Sequence, residues 1–308
     1  MDAMIIGLDH GYAAIKGPHC TFPTGLVAYD YPPYTQKNVL EYGGRYYVVG
    51  TGRQPVQKDK TQTEDYYLLT LAAIARELMA RNADHVAAVH LAAGLPLTDF
   101  GRDRESFRSY LLRGGRTTSY RYDGQNYLVS IQRVSLFPQG YAVALTRKEL
   151  MTAPSMIVVD IGGWTVDMMR LDNKVPNAAT CRSLETGVIC CIDNIMEKAR
   201  QNHGLSVTSA QIESVLRGET QSVPEPVVKL VCQMATDYVQ NLFFTIAQNG
   251  LDLHAMPVIF MGGGASLIKR FSPEAETLFK PVILDDVSLN AKAYEQLAAY
   301  RQQGDSHG

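Results

Sequence analysis

Val158-Val159-Asp160-Ile161-Gly162-Gly163-Trp164-Thr165-Val166-Asp167 is an apolar run that breaks at a carboxylate and two glycines and then resumes. That pattern reads as strand, tight turn and strand. A stretch of the same design opens the chain: Ile5-Ile6-Gly7-Leu8-Asp9-His10-Gly11-Tyr12-Ala13-Ala14-Ile15-Lys16. Either copy alone is an ordinary hairpin. Two copies, one heading each half of the chain, argue for something more specific. A tight turn exposes consecutive backbone N–H groups, glycine lets an anion come close, and a carboxylate just before the turn can hold hydrated magnesium. Two such turns facing each other would clamp a polyphosphate, with a cation between Asp9 and Asp160 and with Lys16 directed at a phosphate.

A third element follows the same logic. Pro257-Val258-Ile259-Phe260-Met261-Gly262-Gly263-Gly264-Ala265-Ser266-Leu267 is an apolar strand running into three glycines that open a helix. Such glycines admit a flat ring against the backbone and leave helix N–H groups available. In isolation this is as readily a structural strand-to-helix turn. After the two hairpins, a nucleoside pocket is the better reading.

Working outward, Val39 to Val49 is a second hairpin turning at Tyr42-Gly43-Gly44-Arg45, and Glu64 to Arg81 carries apolar residues at helical spacing. His85 to Leu91 reads as a buried strand closed by Gly94 and Pro96, and Asp103 to Arg113 as a surface helix. Thr117 to Tyr122 and Tyr127 to Val134 flank an Asp123-Gly124 turn, after which Leu136-Phe137-Pro138 introduces a helix through Leu145. The second half repeats the order: strands Met156 to Asp160, Val166 to Leu171 and Ala178 to Leu184, then helices Gly187 to Asn202, Ser209 to Arg217 and Val227 to Asn249. Strand Val258 to Met261 and a last helix from Asn290 to Arg301 complete it. Tyr29, Tyr31 and Tyr34, with Pro32-Pro33, read as an ordered loop whose exposure bears on assembly. Mixed strands and helices in both halves imply a layered α/β architecture, with a ligand in the crevice between two lobes.

Bulk composition excludes several functions. With 29 Lys+Arg against 31 Asp+Glu in 308 residues, the net charge of -2 gives no general attraction to nucleic acid or anionic lipid. The five cysteines are odd in number and lack the C-x2-C spacing of zinc sites, so they read as reduced thiols. No apolar run approaches the roughly 18 residues needed to span a membrane, and the start of the chain has no basic region leading into a long apolar stretch. A cytoplasmic protein that does not engage membranes is the expectation.

Taken together, the three elements resemble the actin, Hsp70 and sugar-kinase superfamily, and within it the bacterial plasmid-segregation actins of the ParM and StbA type. The likeness spans nearly the whole chain. It implies a duplicated, ribonuclease H-like, two-lobed actin-like fold, with domain I formed by 1–153 plus 287–308 and domain II by 154–286. By this resemblance Asp9, His10, Gly11, Tyr12 and Lys16 fall in the first phosphate loop, and Asp160, Gly162, Gly163, Trp164 and Thr165 in the second. Gly262, Gly263, Gly264 and Ala265 belong to the adenosine motif, and Gly187, in Glu185-Thr186-Gly187, lies near the ribose or caps a helix. Phe137-Pro138-Gln139-Gly140-Tyr141-Ala142 resembles the connecting segment that carries the residue orienting the attacking water, which assigns that role to Gln139 and makes Gln139 and Asp160 the catalytic pair.

Two departures matter. Many segregation actins carry glutamate where Gln139 stands, and an amide orients water without accepting its proton. Trp164, the only tryptophan, occupies a position usually small or threonine; it lines the cleft or packs. Asp167 reads as a structural strand residue. His10 has no partner at ligand spacing, so a metal role for it is disfavoured.

The resemblance implies ATP, with GTP as the alternative, and magnesium held through water by Asp9 and Asp160. It further implies head-to-tail self-assembly into filaments that disassemble on hydrolysis, and an adaptor protein bound to centromere-like DNA in place of direct nucleic-acid contact. A small-molecule kinase of the same superfamily and a non-hydrolysing nucleotide-binding scaffold are the competing readings. Hsp70 function is disfavoured, because the residues after about 305 offer no peptide-binding domain.

Overall fold

The computed structural model describes residues 3–55, 59–151, 153–272 and 274–305. They divide into two compact units, 1–148 with 287–308, and 149–286.

In the first unit the opening hairpin forms as the apolar break suggests. Strand β1 (Met4–His10) turns back into β2 (Ala14–Lys16), pairing Asp9 with Lys16 and His10 with Ile15, and β3 (Thr21–Pro23) extends the ladder. Strands β4 (Leu26–Tyr29), β5 (Val39–Tyr42) and β6 (Arg45–Val49) follow. The Gly43-Gly44 turn between β5 and β6 has φ of 60° and 77°, the left-handed pair that matches strand twist in a two-residue hairpin. Tyr29 therefore ends a strand, while Tyr31 and Tyr34 stand in solvent, 81% and 95% exposed.

Helix α1 (Asp65–Ala80) buries almost a full side from Tyr66 to Leu78 against the sheet. Strand β7 (Val86–Leu95), helix α2 (Phe100–Leu112), β8 (Thr117–Tyr122), β9 (Gln125–Pro138) and the short α3 (Tyr141–Thr146) complete the run. The sheet order is β3-β2-β1-β7-β9-β8-β5-β6-β4, with β1, β7 and β9 parallel at its centre. Leu136-Phe137-Pro138 is a correction to the sequence reading. It is the end of β9, because β7 keeps pairing with it as far as Leu95 opposite Pro138, and the helix expected through Leu145 begins after it, at Tyr141. The same pairing carries β7 past the expected stop at Leu91.

The second unit repeats the plan. Strands β10 (Ser155–Ile161) and β11 (Val166–Asp172) form its hairpin, followed by β12 (Val175–Pro176) and β13 (Arg182–Leu184), the last pairing with β11. The strand expected from Ala178 begins only at Arg182. Asn177 caps a 3-10 turn over Ala178–Thr180 by accepting the Ala179 N–H, which takes those residues out of extended conformation.

Helices α4 (Val188–His203), α5 (Ser209–Arg217) and α6 (Glu225–Gln248) come next, α5 starting on a capping box between Thr208 and Gln211. Strand β14 (Val258–Met261) runs parallel to β10, with α7 (Ala265–Phe271) and β15 (Pro281–Ile283) after it. Helix α8 (Leu289–Asp305) returns to the first unit and packs on β1 and β7.

All five cysteines are free thiols. No helix among the described residues is long and apolar enough to cross a membrane.

Candidate functional site: two hairpins and a glycine strand end

In the first unit the chemistry gathers on Asp9. Its carboxylate is buried at the end of β1, 3% exposed, and both oxygens are engaged. Lys16 lies 3.2 Å from Oδ2, and the Gln139 amide donates to Oδ1 at 2.9 Å. A carboxylate only accepts hydrogen bonds, so the Gln139 nitrogen must be the atom facing it. The amide oxygen of Gln139 is thereby left to accept from another donor. The segment that carries Gln139 is pinned at several points: its N–H donates to Leu95 O, and the next N–H, that of Gly140, donates to Asn290 Oδ1 on α8. Residues 130 positions apart in sequence therefore meet at one carboxylate.

Gly11 is held closely. A Cβ there would lie 2.7 Å from Ala14 O, and its own carbonyl accepts from Thr24 Oγ1 at 2.7 Å. His10 behaves otherwise than a ligand contact. Its side chain turns into the core, fully buried, with Nε2 2.9 Å from Thr70 Oγ1. Thr70 spends its hydroxyl hydrogen on Tyr66 O, so it can only accept from His10, which places the proton on Nε2. Nδ1 is then a buried acceptor with no hydrogen-bond partner among the described residues.

Burial pushes the His10 pKa down to about 3, the nearby Lys60 ammonium adding to the effect and Asp9 opposing it. A depressed histidine pKa favours folding above the unfolded value of 6.5, and that contribution is lost as pH falls from there toward 3. Lowering pH from 6.5 to 4.5 should therefore remove about 2 kcal/mol through this one residue. Guanidinium unfolding at the two pH values checks it: His10→Leu should show a correspondingly shallower pH dependence than the unmodified chain.

In the second unit Asp160 ends β10, 6% exposed, and its carboxylate packs on the α-carbon of Gly262. A Cβ at Gly262 would overlap Asp160 Oδ1, and Gly262 has φ of 86°, so only glycine fits. The hairpin aspartate and the glycine triplet, about a hundred positions apart, are one site. Among the described residues nothing lies within 4 Å of where a Cβ of Gly263 would stand, which leaves its α-carbon open to a flat group. Gly264 and Ala265 start α7, the Gly264 N–H donating to Ile161 O.

Gly187 caps α4, and its position fixes the second hairpin. The N–H groups of Gly187, Val188 and Ile189 donate to the carbonyls of Trp164, Gly162 and Gly163 at 2.8, 3.1 and 2.8 Å. A Cβ on Gly187 would come 2.5 Å from Gly163 O. Trp164 is half-buried within this turn, and Thr165 Oγ1 donates to the buried Asp167 at 3.1 Å, giving Asp167 a structural place.

Thr24, Lys60 and Asn290 hold this machinery and carry no signal in the sequence. Lys60 comes from the loop before α1, donates to the carbonyl of His10 and is 7% exposed. Among the described residues no group of three or more His, Cys, Asp or Glu is placed to hold a metal ion directly. With both oxygens of Asp9 already engaged, a cation would meet that carboxylate through water, which suits magnesium.

Comparison with known proteins gives the family and the fold. Residues 7–141 match the family of actin like proteins, N terminal domain, and residues 158–272 the archaeal actin homologue MreB-like C-terminal family. No curated protein sequence matches. Among solved structures, the archaeal actin homologue Ta0583 is 19% identical over 97% of this chain and 99% of its own, with a TM-score of 0.77. Its complex with ADP gives 20% identity, coverage of 96% and 99%, and a TM-score of 0.74. A 15-stranded ParM filament from Clostridium botulinum is 16% identical over 97% and 100%, with a TM-score of 0.75. At these identities the structures establish the fold, and the two matched domains establish the family. The chain belongs to the actin-like proteins, with an actin-like N-terminal domain and an MreB-like C-terminal domain.

Proposed function

We propose that this chain is an ATPase whose nucleotide state drives head-to-tail self-assembly, with plasmid DNA segregation through a centromere-bound adaptor as its task. The observation that carries the enzymatic part is the Asp9 cluster, in which one carboxylate is held by a lysine and by the amide nitrogen of Gln139. An Nε2 committed to Asp9 leaves Oε1 to accept from a water O–H and to turn that water's oxygen toward a terminal phosphate. The amide does not take the proton; it fixes direction. Lys16 supplies positive charge beside the phosphates, and N–H groups of the two turns cradle phosphate oxygens.

Asp9 and Asp160 would hold magnesium through water, where it would neutralise charge on the phosphate oxygens. ATP is favoured over GTP by resemblance. That a protein of this fold is seen with ADP, and another as a filament, supports both halves of the reading. The near-neutral charge of the chain favours an adaptor over direct DNA contact.

The decisive experiment measures sedimentation and phosphate release together, with ATP and magnesium and no added metabolite. Polymer that forms with ATP and releases phosphate is the expected result. Turnover only when a sugar or acid is added, with no polymer, would make the chain a small-molecule kinase. Polymer without phosphate release would make it a scaffold.

A further inference from the structure

The loop before α1 puts a lysine where a lysine is costly. Lys60 is buried, and among the described residues its ammonium meets groups that belong to, or back, the first hairpin: it donates to the carbonyl of His10 and sits over the rings of Tyr12, at 4.7 Å, and Tyr66, at 5.4 Å. A buried cation is disfavoured unless each of its contacts compensates, and a methionine would fill the same space without that cost. A carbonyl dipole and two ring faces contribute to that compensation.

The carbonyl it selects lies at the turn. A trans peptide points its C=O and N–H in opposite directions, so fixing the His10 carbonyl on the buried ammonium turns the other side of the same peptide, the Gly11 N–H, away from Lys60. The other faces of the turn are fixed as well. The Gly11 carbonyl takes Thr24 Oγ1, and the His10 ring is anchored on Thr70. The hairpin's peptide planes are therefore set from beneath by side chains reaching in from positions 24, 60 and 70.

We propose that Lys60 is a positioning residue that aims the Gly11 N–H at a bound phosphate, so that the phosphate affinity of the first hairpin depends on a cation that never touches the nucleotide. The inference rests on the reading of this hairpin as a phosphate loop.

The test compares ATP with adenosine, which lacks the phosphates, by calorimetry with magnesium on the full chain. Lys60→Met should lower ATP affinity about tenfold and leave adenosine affinity within about twofold, while Lys60→Arg, which keeps charge and donor, should recover most of the loss. Equal losses for ATP and adenosine would show a merely structural role and overturn the assignment, as would an ATP affinity unchanged in Lys60→Met. Should Lys60→Met not fold, amide exchange of Gly11 in the unmodified chain decides. The proposal expects an amide open without nucleotide and protected by ATP with magnesium, and one already protected without nucleotide sinks it. An unmodified chain that binds ATP no better than adenosine would instead overturn the phosphate-loop reading itself, and that failure shows before any substitution is made.

Discussion

Asp160→Ala is expected to lower phosphate release by about three orders of magnitude, and Gln139→Ala by one to two, with ATP-dependent sedimentation kept in the second variant and weakened in the first. The difference follows from what each group does. Asp160 is the buried carboxylate at the end of β10, packed on the Gly262 α-carbon. Removing it deletes negative charge that would hold hydrated magnesium, and it also opens a gap under the glycine triplet. Charge stabilisation at the phosphate and the shape of the nucleoside site are then lost together. Gln139 contributes direction. Without it a water must find its own approach to the phosphate, while Lys16 remains on Asp9 and the assembly-competent nucleotide complex is retained. Single-turnover phosphate release and sedimentation, run on the same samples, separate the two outcomes. Full hydrolysis in Gln139→Ala would remove it from the water-positioning role. Gln139→Glu is a sharper probe than it first looks: a carboxylate placed 2.9 Å from Asp9 Oδ1 sets like charges side by side and raises the pKa of one of them. This chain has built its site around the amide.

What the sequence disclosed depends on the range of the interaction involved. Turns were legible because their chemistry is local. Gly43-Gly44 and Asp123-Gly124 adopt the left-handed backbone that their residue types favour, and the two Asp-Gly breaks fall at the ends of β1 and β10. The bounds of helix α5 and strand β14 are legible as well, the end of β14 being marked by the glycine triplet. The end of β9 is illegible in the sequence because Pro138 also suits a helix opening, while the pairing that keeps it extended comes from β7, more than forty positions away. The props of the site were illegible for the same reason. Thr24, Lys60 and Asn290 are common surface residue types in unremarkable contexts, and each earns its place only when the chain brings it to Gly11, His10 or Gly140. Two glycines of one strand–turn pattern likewise look alike on paper, yet Gly11 serves the turn and Gly7 serves a helix contact.

Gly7→Ala is accordingly expected to destabilise the first unit by about 3 kcal/mol or more, the largest stability loss from the smallest change. Gly7 lies in the middle of β1, on the face that receives α8. A Cβ there would overlap the backbone carbonyl of Ala291, and a backbone atom cannot swing aside as a side-chain tip can. Either the whole helix lifts or the strand bends. Lifting α8 breaks more than packing: the Gly7 N–H donates to Glu295 Oε2, and Arg81 joins Glu295 to the buried Glu77 and to Ile5 O. Burial opposes ionisation of Glu77, but hydrogen bonds from His19 and Arg81 outweigh it and hold its carboxyl below the usual range, so this is a charged network that tolerates no loosening. The same displacement pulls Asn290 off Gly140 and with it the segment that carries Gln139. Guanidinium unfolding should show the midpoint falling in Gly7→Ala and far less in Gly101→Ala, where a Cβ meets nothing within 4 Å among the described residues. A Gly7→Ala chain as stable as the unmodified one would mean that α8 does not bear on β1 as closely as the packing requires.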